Sequence, residues 1–293
     1  MAERLPANGA ARPRTFDPQP QELVLSLLGG FLRPRDRRVG AGGLVELLTE
    51  FGFSPGAARV ALTRMVRRQL MTRARHGRHV DYALTERSRA ILDEGDRRIF
   101  TLGREPDLPG RRWTVLWHAI PQDRRLQRQR LARRLRFLGF GQVHDGAWVA
   151  AHDREREVAA VLAQLDVTEY AAVMLATPAG TVGLGSLPAR AWDLDELGAR
   201  YRDFVGDFDG CRPDALGDRD SFVVRTQLVH SFRQFAFLDP ELPACLVAAP
   251  DHRARAVRLF GELYEALAPA GQRHFDQVAA RSGSAGDREV VQP

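Results

Sequence analysis

The segment TEFGFSPGAARVALTRMVRRQL, residues 49–70, leaves the chain few ways to fold locally. Leu44, Leu47, Leu48 and Phe51 recur at helical spacing ahead of it, and Gly52 follows the last of them, suited to end that helix in a left-handed conformation. Ser54 then precedes Pro55, which pairs an N-cap hydroxyl with a proline whose missing N–H costs nothing in a first turn. Two helices joined by a turn of a few residues are therefore predicted, the second starting at Pro55. On the second, Ala58, Ala61, Leu62 and Met65 share one face, Thr63, Arg64 and Arg67 lie opposite, and Arg59 flanks them.

That second helix is where composition matters. The net charge of +6 is unevenly spread: residues 1–110 hold 19 Arg against 13 acids, whereas the remainder holds equal numbers. Between Glu50 and Asp81 lie seven arginines (59, 64, 67, 68, 73, 75 and 78), His76 and His79, and no carboxylate. The chain contains no Lys, so abundant Arg alone says little. Clustering without acids points to an anionic partner.

The neighbouring segments supply a shape for that partner. An earlier helix is expected over 20–32, with Pro20 in its first turn and Leu23, Leu27, Leu28 and Phe31 on one face. After the basic helix, LMTRAR and HVDYALT read as a hairpin turning at Gly77, and Thr85 caps a further helix. Helix, helix, short turn, basic helix and hairpin is the order of a winged helix-turn-helix. An α-helix fits the DNA major groove and a helix N-terminus favours phosphate oxygen. Arg59, Thr63 and Arg64 are the expected base or near-base contacts. Ser54, Arg67 and Arg68, with Arg73, Arg75 and Arg78 of the wing, complete the expected DNA surface.

From residue 113 the pattern changes. WTVLWHAI, a helix through Leu126, Leu131, Leu135 and Leu138, two short strands around Asp145-Gly146, a second helix and TEYAAVMLAT give βαββαβ, the ferredoxin-like plan. Trp113, Trp117 and Trp148 are expected in its core. Its first helix carries Arg124, Arg125, Arg128, Arg130, Arg133, Arg134 and Arg136. These suit an anion site, but are expected to form a solvated face paired with acids from elsewhere. Asp123 is expected to cap that helix. Beyond residue 188 the chain reads as helical, with one apolar stripe through Phe222, Leu228, Val229, Phe232 and Phe235 and another through Leu259, Phe260, Leu263 and Tyr264.

The fold class expected is α+β multidomain. Turn-rich breaks at 107–110 and 177–190 divide it into a winged helix-turn-helix domain with trailing helix at 19–107, a ferredoxin-like domain at 111–178 and a helical domain at 188–278, flanked by flexible tails at 1–18 and 279–293. The N-terminal residues lack the apolar stretch of a secretory signal and no apolar run is long enough to span a bilayer, so a cytoplasmic protein is expected. Cys211 and Cys245 stand apart from any metal-ligand spacing and read as small packing residues. His76 and His79 lack a third ligand, and Ser186 in GLGSLP is neither in a nucleophile elbow nor in a phosphate loop. Neither metal nor cofactor is expected.

LRFLGFGQVHDGAWVA at 135–150, and above all LVHSFRQFAFLDPELPACLVAAPDHRARAVRLFGELYEALAP at 228–269, following the N-terminal helices and wing, resemble the PaaX family of bacterial transcriptional repressors over residues 20–278. The resemblance implies a homodimeric repressor of an aromatic catabolic operon, phenylacetate degradation being the type case, released from its double-stranded operator by an aryl-acetyl-CoA such as phenylacetyl-CoA. His230 and Arg233, spaced i, i+3 in an apolar helix, are the expected effector contacts, with buried structural groups as the alternative. The family's central domain is similar to a small ferredoxin-like nuclease. A metal-dependent nucleic-acid-processing enzyme using Asp123 is therefore one rival reading. A constitutive DNA-binding protein without effector is the other. Catalysis is not expected.

Overall fold

The computed structural model describes residues 13, 16, 18–32, 38–77, 79–103, 112–179, 184–243, 246–247 and 250–282. In chain order the elements are α1 (Pro20–Leu27), continued by a π-helical turn over Leu28–Leu32, then β1 (Val39–Gly40), α2 (Ala41–Thr49), α3 (Pro55–Arg67), β2 (Met71–His76), β3 (His79–Leu84) and α4 (Glu86–Thr101). Next come β4 (Trp113–His118), α5 (Arg125–Phe137), β5 (Gly141–His144), β6 (Ala147–Ala150), α6 (Glu155–Gln164) and β7 (Ala171–Ala176). The remainder is helical: α7 (Leu187–Ala191), α8 (Leu194–Phe208), α9 (Asp218–Phe232), α10 (Phe235–Leu238), α11 (Pro250–Ala266) and α12 (Ala268–Ser282). Helices with two antiparallel sheets make the chain α+β.

The elements gather into two compact units that interleave in sequence. One comprises residues 1–98, 204–232 and 258–293, the other 99–203 and 233–257. The stretch 188–278, expected to be a single helical domain, contributes to both.

In the first unit, α1, α2 and α3 turn their apolar faces inward, burying Leu23, Leu27, Leu44, Leu48, Leu62 and Met65. Phe222 of α9 and Phe275 of α12 enter the same core. Phe31 stacks on Phe275 with ring centroids 5.4 Å apart and meets Phe222 at 5.0 Å. Sequence reading did not find α12; its apolar residues Phe275 and Val278 are too few to form the stripe that marked its neighbours. Buried Arg225 of α9 ties three segments together. Its Nε donates to Tyr264 O at 3.2 Å and its Nη1 to Gly30 O at 3.3 Å, and the guanidinium lies over the Phe31 and Tyr264 rings. Strands β1, β3 and β2 form an antiparallel sheet in that order.

The second unit holds the other sheet, ordered β5-β6-β4-β7 and antiparallel throughout. The expected strand–helix–strand–strand–helix–strand succession is present at 113–176. Leu116, Trp148, Leu131, Leu135, Val158 and Leu162 fill the space between this sheet and α5 and α6. Gly146, with φ +77°, makes the β5–β6 turn and brings its carbonyl within 2.8 Å of the His118 N–H; a Cβ there would sit 2.4 Å from His118 O.

Several expectations need correcting. Trp113 and Trp148 are core residues, but Trp117 is 61% exposed: strand alternation sends it to the sheet face opposite α5 and α6, beside exposed Met174. Asp123 does not cap α5. It lies in a 3₁₀ turn, Gln122–Arg124, whose backbone closes with Arg124 N–H donating to Pro121 O, and α5 follows with Arg124 as an N-cap that makes no side-chain bond. Of the expected apolar stripe, Phe222, Leu228 and Phe232 are buried on α9 and Val229 is half-buried there, while Phe235 falls on the separate helix α10. Cys211 is half-buried, and burial pushes its thiol pKa up. Cys245 and most of both expected tails lie outside the described residues.

Candidate nucleic-acid interface

Helix α3 is fixed at both ends by groups read from its sequence. Ser54 Oγ accepts the Ala57 N–H at 3.2 Å, with Pro55 in the first turn and Gly52 at φ +88° closing the turn before it. At the other end Gln69 takes φ +57°. Its N–H donates to Val66 O and that of Leu70 to Met65 O, a left-handed stop made without glycine. Thr85 then joins helix, hairpin and α4: its hydroxyl donates to Gln69 O at 2.8 Å and accepts the Ser88 N–H at 3.2 Å.

Ala58, Ala61, Leu62 and Met65 are buried, so the opposite face of α3 is fixed outward. Arg59, Thr63, Arg64, Arg67 and Arg68 are all exposed, as are Ser54 and, on β2, Arg73 and Arg75. Arg78 lies outside the described residues. None of the arginines at 59, 64, 67, 68 and 73 has a carboxylate partner among the described residues. Arg75 Nε donates to Gly77 O at 3.1 Å, stiffening the hairpin tip, where Gly77 has φ +61° and His76 pairs with His79 across the strands. Thr63 Oγ1 donates back to Arg59 O at 3.0 Å, leaving its lone pairs to accept. Sequence reading missed Val60. It falls within the basic face and stays 50% exposed, an apolar group among guanidiniums.

The expected effector contacts, His230 and Arg233, lie in the last turn of α9 and just beyond its end. His230 belongs to the first unit, where its ring meets Phe16 edge-on at 5.3 Å, and Arg233 begins a segment of the second. Neither lines a described cavity. Two cavities lie in the second unit. One, of about 230 Å³, has walls from Leu194, Leu197, Tyr201, Leu242 and Val247. Tyr201 donates to Asp239 at 2.6 Å, and Arg253 Nε sits 2.8 Å from the same carboxylate oxygen. Burial first, and Asp239 second, push the Tyr201 hydroxyl well above its ordinary pKa, so it remains a donor. The other cavity is lined by α5 and the ends of β4, β5 and β6.

The arginines of α5 depart from the expected pairing. Arg128 reaches Asp145 at 3.0 Å and Arg124 reaches Asp166 at 3.7 Å. Arg125, Arg130, Arg133, Arg134 and Arg136 have no carboxylate partner among the described residues. Helix α5 itself contains no acid, and the carboxylates that reach its start and its first turns come from the β5–β6 turn, Asp145, and from the turn after α6, Asp166.

Comparison with known proteins agrees with this layout. Family models described as PaaX-like protein, PaaX protein central Cas2-like domain and PaaX-like protein C-terminal domain match residues 19–88, 108–185 and 192–277 in succession. The chain belongs to the PaaX family. It is 26% identical over 262 residues to the transcriptional repressor PaaX of Escherichia coli strain K12, spanning 85% of this chain and 80% of that one. Among solved structures it is similar to an uncharacterized Mycobacterium tuberculosis protein, Rv0674, with a TM-score of 0.58, 25% identity, and coverage of 89% of this chain and 98% of that one. The PaaX-like protein match over residues 19–88 contains α3 and the whole hairpin, so the exposed basic face lies within the matched region.

Proposed function

We propose that the chain is a cytoplasmic, homodimeric transcriptional repressor that binds double-stranded operator DNA through a winged helix-turn-helix spanning residues 19–107 and is released by an aryl-acetyl-CoA such as phenylacetyl-CoA. Residues 111–178 are read as a ferredoxin-like domain and 188–278 as the dimerisation and effector region. The observation that carries the DNA reading is the outward face of α3 together with β2: guanidiniums with no carboxylate to answer them, held in place by a capped, well-buried helix.

On this reading α3 enters the major groove. Arg59 and Arg64 reach base edges or near-base phosphates, Thr63 accepts beside them, and Val60 supplies the apolar contact that suits a thymine methyl. Ser54 stands at the helix N-terminus, which favours phosphate oxygen, and Arg67, Arg68, Arg73, Arg75 and Arg78 neutralise the backbone on either side. The name of the Escherichia coli relative supports repression as the outcome. The apolar cavity beside Tyr201 supports an aryl effector, since about 150 Å³ accommodates a benzene ring and about 230 Å³ leaves room for a short tail. His230 and Arg233 are retained as candidate effector contacts. Release requires that the effector bind one arrangement of the paired DNA-binding domains better than the other.

Mobility-shift titration on the DNA upstream of the protein's own gene, with and without phenylacetyl-CoA, tests this. A sequence-specific shift abolished by the thioester is expected. Binding indifferent to acyl-CoA thioesters would leave a DNA-binding protein without this inducer, and absence of specific binding to that DNA would remove self-regulation.

A further inference from the structure

The groove between α5 and the β5–β6 hairpin is built around unanswered donors. It encloses about 380 Å³ and is lined among others by His118, Gln122, Arg125, Arg128, Gln142 and Trp148. Trp148 is 2% exposed, yet its Nε1, which can only donate, has no partner among the described residues. A buried donor left unmade costs about 1–3 kcal/mol, so its retention calls for an occupant that accepts from it. His118 Nδ1 is likewise buried without a partner. Burial, and then the neighbouring Arg128, lower the His118 pKa against the opposing pull of Asp145, which keeps the ring neutral at pH 7 and free to donate or accept. Arg125, at the rim, is exposed and has no carboxylate partner among the described residues.

Donors outnumber acceptors here. Two guanidiniums, the indole N–H and the amides of Gln122, Gln129 and Gln142 face a single carboxylate, Asp145, which Arg128 already engages at 3.0 Å. A ligand rich in oxygen acceptors and negative charge fits such a set. A phosphoryl group offers three terminal oxygens where a carboxylate offers two. The groove is larger than one phosphate, leaving space for an organic remainder. A donor as deeply buried as Trp148 Nε1 is met by a molecule that enters the groove, whereas a duplex backbone would lie across its mouth.

We propose that this groove binds a small phosphate ester, with Trp148 Nε1–H and Arg125 donating to its phosphoryl oxygens, His118 lining the inner end and Arg128 exchanging part of its contact with Asp145 for the ligand. The site is distinct from the basic face of α3, and the inference stands whether or not that face binds DNA.

The full chain labelled with ¹⁵N at tryptophan gives up to four indole N–H resonances. The resonance of Trp148 is identified by its loss in Trp148→Phe. Titration with ADP and with ribose 5-phosphate should move that resonance saturably, adenosine and ribose should not, and Arg125→Ala should weaken the response about tenfold, the loss of one charge-assisted hydrogen bond. Arg125 is exposed, so its replacement leaves the fold intact and the remaining indole resonances in place. The proposal is overturned if neither phosphate ester moves the Trp148 resonance at millimolar concentration, if adenosine moves it equally, if only a duplex oligonucleotide does so, or if Arg125→Ala leaves the titration unchanged.

Discussion

Helices α3 and α5 are both 13 residues long, both rich in arginine and both free of acids, yet they present their charge in different ways. Helix α3 buries four residues on one side, starts from a hydroxyl cap and displays its arginines on an open face with Val60 among them. Helix α5 buries Leu131 and Leu135, starts from a 3₁₀ turn without a side-chain cap, and flanks a groove lined by Trp148, whose buried indole N–H has no acceptor among the described residues. An acid-free run of arginines identifies a missing countercharge. The shape of what supplies it is set by the elements alongside, a projecting hairpin in one case and the edge of a sheet in the other.

The largest expected effect separates the two helices on DNA. Arg59→Ala with Arg64→Ala should weaken operator binding at least a hundredfold, since each guanidinium that reads a base edge is worth about 1–3 kcal/mol. Arg130→Ala with Arg133→Ala, the same charge change on α5, should weaken it less than about threefold. Fluorescence anisotropy on labelled operator at fixed salt measures both. Equal losses would erase the distinction and make the two faces one electrostatic surface. A hundredfold loss that also holds on random DNA would assign Arg59 and Arg64 to phosphates alone.

Much of the contrast was legible in the sequence where it depends on neighbours along the chain. Gly52, Ser54-Pro55 and the spacing of Ala58, Leu62 and Met65 determine α3 and its outward face, because caps and helical periodicity are local properties. The succession of strands and helices around α5 was legible from residue patterns and the Asp145-Gly146 turn in the same way. What depended on distant residues was not legible. The pairing of Arg128 with Asp145 while Arg125 has no carboxylate partner among the described residues, the exposure of Trp117, and the entry of Phe222 and Phe275 into the core built by α1 and α2 are outcomes of packing between segments far apart in sequence. The orphaned Trp148 N–H had no sequence signal, since a strand tryptophan reads simply as core.

A smaller effect contrasts the starts of the two helices. Ser54→Ala removes the acceptor for the Ala57 N–H and should cost about 1 kcal/mol of stability, within the roughly 0.5–2 kcal/mol range of N-cap losses. Asp123→Ala should cost almost nothing, because Asp123 caps neither the 3₁₀ turn nor α5. Urea unfolding followed by circular dichroism distinguishes them. A comparable loss from Asp123→Ala would mean that α5 is stabilised at its start as α3 is.

The smallest expected effect is a pH dependence belonging to the α5 groove. The pKa of His118 is lowered from 6.5 chiefly by burial and next by Arg128, with Asp145 pulling the other way. Above pH 6.5 the ring is neutral in both folded and unfolded chains, and its contribution to stability is fully present. As pH falls through 6.5 the unfolded chain takes up a proton that the folded chain resists, so the unfolded state binds more protons and stability declines until the lowered folded pKa is reached. The ring is only half-buried, so solvent screening keeps the total below about 1 kcal/mol. His118→Gln keeps a polar side chain but abolishes the titration. The difference in unfolding free energy between wild type and this variant should therefore shrink or grow only between about pH 5 and pH 7, with the wild type losing ground as pH falls. A difference that is flat across that interval would show that protonation of His118 is equally easy in both states, and would leave Arg128 fully neutralised by Asp145 rather than acting on the ring.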